Sequence, residues 1–418
     1  MLDKKLKSLI NFNLNNTKSK FKYPLLNQGF NFNDIQKGIE VLMSGQITMS
    51  SITRKFEKEF ARKVGSKFAI MVNSGSSANL LAAFASCNPM RKNKFKVGDE
   101  MLIPAICWST SLWPFVQAGL KPIFVDSDIN SLNIDLNDFK KKINSKTKLV
   151  MIVHVLGNSS NIEEIKKICK KRNIILVEDT CESLGSKFKN KYLGTFGDFG
   201  TYSFYYSHQI TSGEGGMIVC NNNDDYDILL SLRSHGWARN LIKQKYYEKK
   251  YNKIDNRFIF LNSGFNLRPT EIQAAIARNQ FKRLNTIKKV KKSNHKKIIN
   301  YLKKSKLWQN QFTFIEETKN TNSNWFGLSI LLNKPYIKKK KKFLEYLTKK
   351  GIENRPIISG NFINQPSFKL YKFKANRYRL LKSQEIEDRG FFIGLDNKII
   401  NEKKLKLLEK SLLKIKEI

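Results

Sequence analysis

The sequence predicts an α/β protein, with a mostly parallel sheet in a large domain and a smaller α+β domain at the C-terminus. Apolar runs of strand length recur through the first half of the chain, and helical patterns such as 161–172 lie between most of them. Strands that alternate with helices favour a parallel sheet covered on both faces. Near Arg283 the pattern changes to a long Lys-rich helix. We therefore expect an N-terminal arm, 1–22, a large domain, 23–283, and a small domain, 284–418.

The elements of the large domain follow in order. Helical spacing predicts helices over 33–44 and 53–64, before a first strand that ends in the turn SGSSAN at 74–79. Such a helix start offers free N–H groups to a phosphate, although the turn is equally well explained as a capped helix. Later strand candidates lie at 101–105, 122–126, 149–155, 174–179 and 201–206. No GxGxxG follows any strand, so a Rossmann dinucleotide domain is not expected.

The small domain is predicted from shorter patterns. Strand candidates at 325–332 and 353–358 alternate with helical patterns at 338–350, 383–389 and 402–415. The lysine runs at 288–292 and 338–342 are interpreted as solvated helix faces.

The charge balance is strongly basic, with 76 Lys and Arg against 35 Asp and Glu, a formal net charge of +41. A polyanion partner is one reading of such a charge. However, 62 of these residues are Lys spread over predicted helix faces, and only 14 are Arg, which is preferred for phosphate and base contacts. We expect biased residue usage and no nucleic-acid partner, with a binding protein kept as the alternative.

The cysteines and apolar runs indicate a cytoplasmic protein. The five Cys residues are scattered without a CxxC pair, which is typical of reduced thiols and argues against a metal site. No apolar run reaches the roughly 18 residues of a membrane span, and the first twenty residues lack the apolar core of a signal peptide. His154 and His295 are interpreted as structural.

Polar side chains cluster where predicted strands end. Asp179 closes one apolar strand and is followed by Glu182, while Ser203 lies in another, five residues before His208. The carboxyl ends of parallel strands form the usual ligand-binding edge of an open α/β sheet. Trp108 follows a third strand. Each feature has a simpler explanation, a helix cap for Asp179 and packing for Trp108, but together they predict one site.

Four segments resemble a known family. SGSSAN, EDTCESLG, SFYYSHQITSGEGG and GFNLRPTEIQAA are similar to signature segments of the DegT/DnrJ/StrS sugar aminotransferases, from about residue 23 to the C-terminus. The resemblance implies the type I pyridoxal phosphate fold, like that of aspartate aminotransferase. Most members carry Lys five residues after the Ser of the SF segment, where this chain has His208. That departure resembles the sugar 3-dehydratases of the family.

The resemblance implies pyridoxal or pyridoxamine phosphate as cofactor and assigns residues to it. It implies a homodimer with shared active sites, because one phosphate contact comes from the neighbouring subunit. The implied cofactor residues are Gly75, Ser76 and Ser203 at the phosphate, Asn266 from the neighbour, Trp108 on the ring, Asp179 at the ring nitrogen and Glu182 beside the ring oxygen.

The implied reaction is the 3-dehydration of a nucleotide-linked 4-keto-6-deoxyhexose, a GDP-sugar first among the candidates, with glutamate regenerating the cofactor for deoxysugar and lipopolysaccharide synthesis. His208 is the predicted catalytic residue, since an imidazole with an ordinary pKa near 6.5 suits proton transfer at neutral pH. Substrate contacts are expected from His235, Arg239, Glu353 and Arg355.

Two enzyme alternatives remain open at this stage. An ordinary sugar aminotransferase would need the missing Lys. A CDP-sugar 3-dehydrase would need clustered Cys, and residues 234–268 contain none. The segment GLDN at 394–397 differs from the His-bearing segment expected there, which affects part of the substrate pocket.

Overall fold

The computed structural model describes residues 2–16, 19–26, 29–373 and 379–418. Of the predicted arm, residues 1, 17 and 18 lie outside these ranges, and the rest contains a helix, Leu2–Asn16. The chain then forms an α/β unit followed by a smaller α+β unit, as the sequence predicts.

Within the described ranges, the strands form three sheets. In chain order they are β1 Phe68–Val72, β2 Glu100–Pro104, β3 Lys121–Val125, β4 Thr147–Val153, β5 Ile175–Asp179, β6 Lys187–Phe188, β7 Lys191–Tyr192, β8 Phe199–Ser203, β9 Gly216–Cys220, β10 Phe312–Phe314, β11 Thr321–Asn322, β12 Gly327–Leu332, β13 Asn354–Arg355 and β14 Gly390–Gly394. The large sheet has the order β1-β9-β8-β5-β4-β2-β3, and β10-β12-β14-β13 form an antiparallel sheet in the small unit. The third sheet is β11-β6-β7.

The helices cover both faces of the large sheet and one side of the small one. In chain order they are α1 Leu2–Asn16, α2 Phe32–Ser44, α3 Ser51–Val64, α4 Gly75–Ser86, α5 Ser109–Gln117, α6 Leu136–Lys142, α7 Ile162–Lys171, α8 Asn223–Arg233, α9 Gln244–Lys250, α10 Glu271–Phe281, α11 Leu284–Lys304, α12 Lys340–Lys349, α13 Pro366–Leu370, α14 Leu381–Arg389 and α15 Glu402–Leu412. The expected boundary near Arg283 falls between α10 and α11.

The large sheet brings its strand ends together at one edge. Strands β2, β3, β4, β5 and β8 pair in parallel, and β1 runs in the same direction because both β1 and β8 pair antiparallel with β9. The first residue of β9, Gly216, therefore lies between Val72 at the end of β1 and Ser203 at the end of β8. The loops that follow β1, β2, β5 and β8 all open at this edge, which positions the site.

Two predicted strands differ from those observed. The strand expected over 201–206 lies over Phe199–Ser203 instead, because the Ser203 hydroxyl accepts the Tyr205 amide at 3.2 Å and a turn follows, closed by the His208 amide on the Tyr205 carbonyl at 3.0 Å. The strand expected over 353–358 is reduced to the two residues of β13, which lies at the edge of the small sheet and pairs with β14.

The interpretation of 288–292 as a solvated helix face is wrong for one residue. Lys291 in α11 is only 1% exposed. It lies on the buried face of the helix with Ile287 and Ile298, since residues three, four and seven apart share one side of a helix. A lysine run does not reveal which member faces inward.

The small unit has its own apolar core. Ile298 and Leu302 of α11 pack with Phe343 of α12 and Leu408 of α15 around the antiparallel sheet. Tyr23, far away in sequence, belongs to the same core and donates a hydrogen bond of 2.9 Å to the Gly394 carbonyl. The start of the chain thus packs on the C-terminal unit.

Candidate active site

A cavity of about 510 Å³ opens at the carboxyl edge of the large sheet, where the small unit covers it. Arg355 lines it together with seven predicted cofactor and catalytic residues, which are Gly75, Ser76, Trp108, Asp179, Glu182, Ser203 and His208. Residues as far apart in the sequence as 75 and 355 therefore line one cavity, which is the arrangement expected of a site built from strand ends.

The turn after β1 supplies a tight backbone surface. Ser74 caps α4 by accepting the Ser77 amide at 3.1 Å, which leaves the first residues of the helix at the cavity. A Cβ at Gly75 would lie 2.6 Å from the Ser203 Cβ and 3.0 Å from the Cys181 sulphur, so only glycine fits. Ser76 is exposed. Backbone N–H groups and hydroxyls at a helix start form an anion site.

Asp179 is fixed by three donors and is 4% exposed. Its Oδ2 accepts hydrogen bonds from Asn79 Nδ2 at 2.9 Å and Ser111 Oγ at 2.7 Å, and its Oδ1 accepts the Cys181 amide at 3.1 Å. Thr201 in turn donates to Asn79 Oδ1 at 2.7 Å. A carboxylate oxygen has two lone pairs, so Oδ1 keeps one acceptor position for a donor in the cavity.

Glu182 lies one turn beyond Asp179. Its Oε2 accepts the Leu156 amide at 3.1 Å. Burial raises the pKa of Glu182 to about 7. The hydrogen bond from the Leu156 amide lowers this pKa, and the charge of Asp179 raises it. This carboxyl therefore carries its proton for part of the time at neutral pH and can both donate and accept.

The His208 imidazole lies between two aromatic rings in the cavity wall. Its ring is perpendicular to that of Phe326, with centroids 5.2 Å apart, and contacts Tyr205 at 5.8 Å. Its Nδ1 is buried and has no hydrogen-bond partner among the described residues. The expectation of an ordinary pKa near 6.5 is wrong for this structure, because burial lowers the pKa of His208 to about 4. The imidazole is thus a neutral base at neutral pH.

Trp108 and Arg355 stand at the mouth of the cavity. Trp108 precedes α5 and is 55% exposed, so a face of its indole is free for stacking. Arg355 is also exposed and forms an ion pair with Glu353 at 2.7 Å. The other Glu353 oxygen accepts the Leu25 amide at 3.0 Å, so Glu353 orients the guanidinium without lining the cavity itself.

Besides Glu353, three predicted residues lie outside this cavity. Asn266, His235 and Arg239 belong instead to a surface group centred on Trp237, which we call the Trp237 cluster and which includes Arg268. The Arg239 and Arg268 guanidinium groups lie 5.3 and 5.7 Å from the indole centre, and Arg268 donates to Asn266 Oδ1 at 3.0 Å. Within one chain the structure does not bring the Trp237 cluster to the cavity.

Comparison with known proteins identifies the family. Residues 31–410 match the DegT/DnrJ/EryC1/StrS aminotransferase family over most of the chain. This protein belongs to that family. The family and fold expected from the sequence are confirmed.

Individual relatives are similar over nearly the whole chain. GDP-4-keto-6-deoxy-D-mannose 3-dehydratase of Escherichia coli O55:H7 is 38% identical over 375 residues, which span 89% of this chain and 95% of the relative. The solved structure of the E. coli GDP-4-keto-6-deoxy-D-mannose-3-dehydratase with bound hydrated PLP matches with a TM-score of 0.84 and 36% identity, covering 94% of this chain and 99% of the other.

A further structure carries a ligand of interest. A GDP-4-keto-6-deoxymannose-3-dehydratase with a trapped PLP-glutamate geminal diamine matches with a TM-score of 0.82 and 35% identity, over 93% of this chain and all of the other. Two similar structures therefore hold pyridoxal phosphate, in one of them joined to glutamate.

Sequence reasoning missed several residues of this DegT-family site. Tyr205, Ser207, Glu214 and Phe326 line the cavity, and Asn79 holds Asp179 from below. Tyr205, Ser207 and Glu214 lie in the segment SFYYSHQITSGEGG around His208, so their closeness to His208 in the sequence could have identified them as site residues. Phe326 comes from the small unit, and nothing in the sequence pairs it with residue 208.

The other two histidines named in the sequence serve the fold. His154 is fully buried, with Nε2 3.0 Å from Glu178 and Nδ1 3.1 Å from Ser159. His295 stacks on Trp325, with ring centres 4.4 Å apart.

Across the described ranges, no group of three or more His, Cys, Asp or Glu side chains could hold a metal ion. Within the same ranges, no helix combines the length and apolar character of a membrane span.

Proposed function

We propose that this protein removes the C3 hydroxyl of a nucleotide-linked 4-keto-6-deoxyhexose, GDP-4-keto-6-deoxymannose, using pyridoxal phosphate in its amine form, which glutamate restores. The observation that carries the proposal is His208 in the cavity wall. No lysine is among the described residues that line the cavity. An imidazole cannot attach the cofactor covalently as a lysine amine does, so the cofactor stays free to present its own amine.

The residues present fit this cofactor. The start of α4 at Gly75 and Ser76 presents backbone N–H groups to the cavity, beside the hydroxyls of Ser76 and Ser203, and a phosphate group fits such a helix start. The spare acceptor position of Asp179 suits the ring nitrogen, and Glu182 suits the ring oxygen because its raised pKa lets it share a proton. The exposed face of Trp108 suits the ring itself.

When bound, the cofactor supplies an amine for the substrate ketone and an electron sink that allows the C3–O bond to break. His208 is the acid–base group: its ring nitrogen takes up a proton and delivers one to the leaving hydroxyl, which departs as water. The low pKa of His208 keeps the ring in the accepting form before this step. Arg355, held by Glu353, binds an anionic group of the substrate or of glutamate.

The homodimer is part of the same proposal. The Trp237 cluster is basic and aromatic and lies away from the cavity of its own chain; His235, Arg239 and Asn266 are exposed, whereas Trp237 and Arg268 are half-buried. In a dimer with shared sites, Asn266 reaches the cofactor phosphate of the neighbouring subunit, and His235 and Arg239 face the nucleotide. Guanidinium groups stacked on an indole are typical of phosphate and base recognition.

The reaction is tested with the full-length protein, pyridoxal phosphate, glutamate and a panel of GDP-, CDP- and dTDP-linked 4-keto-6-deoxy sugars. Mass spectrometry should detect a product from the GDP sugar that has lost one oxygen. A product that has instead gained nitrogen would identify an aminotransferase and overturn the proposal. His208→Asn should abolish oxygen loss, and His208→Lys should shift the product toward the amino sugar, while His295→Gln, which does not line the cavity, should leave the product unchanged.

The shared site is tested by mixing two inactive variants. His208→Asn subunits and Asn266→Ala subunits each have defective sites as separate homodimers. Mixed dimers would contain one site with both changes and one with neither, so unfolding, mixing and refolding should restore part of the activity. Activity that stays absent in verified mixed dimers would show that both residues act within one chain.

A further inference from the structure

Lys291 is a buried charge without an ion pair. Its side chain is 1% exposed on the inner face of α11, and its ammonium donates one long hydrogen bond, 3.4 Å, to the Phe326 carbonyl. No carboxylate of the described chain forms an ion pair with it. An unpaired buried ammonium destabilises a fold that an apolar side chain would suit equally well. The position therefore calls for a role beyond packing.

Phe326 connects this ammonium to the active site. The Lys291 nitrogen lies 5.9 Å from the Phe326 ring centre, and the Phe326 ring lies 5.2 Å from that of His208. These two distances place the ammonium no more than about 11 Å from the imidazole centre. Phe326 thus contacts both the cation and the proposed acid–base group.

We propose that Lys291 is a positioning residue for His208: it holds the Phe326 carbonyl beside the imidazole and places a positive charge near the imidazole that disfavours its protonation. This inference rests on the proposed acid–base role of His208. It assigns a reaction role to a residue that does not line the cavity.

The charges around the two groups agree with this role. Burial is the largest influence on the pKa of His208 and lowers it. The Ser203 backbone and the Asp179 charge raise this pKa, the Lys291 charge lowers it, and the Cys181 backbone raises it with the smallest effect. A unit charge at about 11 Å in an effective dielectric constant of about 20 moves a pKa by about one unit.

Lys291 itself remains charged at neutral pH. Burial lowers the pKa of Lys291 to about 8, against the opposing charge of Asp396 beyond β14. The Asp396 carboxylate is occupied by Lys404 at 2.8 Å and does not neutralise Lys291 directly. The ammonium can therefore act on His208 across the neutral pH range and lose its effect above about pH 8.

The coupling can be observed without any substitution. The chain has four histidines, so full-length protein labelled with ¹⁵N-histidine gives few imidazole signals, and His208→Asn assigns the one of interest. Because coupling between two sites is reciprocal, the His208 signal should show a second change as the pH rises through about 8, where Lys291 loses its proton. A His208 signal without any change in that range overturns the inference.

Variants connect the coupling to the reaction. Lys291→Met should remove the change near pH 8 and raise the acid limb of the kcat/KM profile by about one pH unit, while Lys291→Arg, which keeps the charge, should leave that limb in place. Lys288→Met is the matched control, one turn earlier on α11, where the ammonium donates to the carbonyls of Gly185 and Asn322 instead.

The outcomes separate the two proposals. Activity of Lys291→Met that falls equally at every pH, with an unmoved acid limb, overturns the positioning role. If His208 is not the acid–base group, the NMR coupling persists and the kinetic limb fails to respond in any variant. If Lys291→Met does not fold, Lys291→Arg decides the inference: the change near pH 8 should disappear, because a guanidinium does not lose its proton there, and it should persist in Lys288→Met. A change near pH 8 that persists in Lys291→Arg overturns the inference.

Discussion

Lowering the pH should destabilise the fold through His208, and replacing that residue should remove part of the effect. Burial lowers its pKa from an ordinary 6.5 to about 4, so between these values the unfolded chain binds a proton that the folded chain does not. The stability that His208 contributes is complete above pH 6.5 and is lost as the pH falls toward 4. Between pH 8 and pH 5 the loss is at most about 2 kcal/mol.

The assay is urea unfolding of the full-length protein without added cofactor, at pH 8 and at pH 5. His208→Asn should show a decrease in unfolding free energy about 2 kcal/mol smaller than that of the unsubstituted chain. His235→Asn is the control, since that side chain is exposed and loses little hydration on folding. Other groups, including Glu182, change the absolute stability of all three proteins equally. An unchanged pH dependence in His208→Asn would refute the argument from burial.

The remaining predictions concern the proposed cofactor contacts. Gly75→Ala forces a Cβ within 2.6 Å of the Ser203 Cβ, so it should lower stability by about 1–3 kcal/mol in thermal unfolding and weaken pyridoxal phosphate binding. Gly38→Ala, which meets only flexible side-chain atoms at 3.3 Å, should change either value much less. Trp108→Ala should weaken cofactor binding about tenfold in absorbance titrations, with stability within about 0.5 kcal/mol of the parent because the indole is exposed. Asp179→Asn should lower turnover at saturating cofactor by about a hundredfold or more, and full activity of that variant would exclude the proposed ring-nitrogen contact.

The site could be predicted from the sequence where it depends on strand ends. Gly75, Trp108, Asp179 and Ser203 each follow or close a strand of a parallel sheet, and all such ends lie at one edge. His208 was recognisable by its spacing from Ser203. The C-terminal end of β8 could not be predicted. The Ser203 hydroxyl accepts the Tyr205 amide and so ends the strand, and the pattern of apolar residues gives no sign of this hydrogen bond.

The sequence by itself determined the α/β class, the family and the chemical types at the carboxyl edge, because these follow from local hydrophobic pattern and from short segments with fixed spacing. Only the tertiary structure decided the electrical environment of those groups. The pKa of His208 falls chiefly because the imidazole is buried, and Phe326, 118 residues later in the chain, packs on it. Burial and distance between remote segments set the strength of a charge, and neither is encoded in the neighbouring residues.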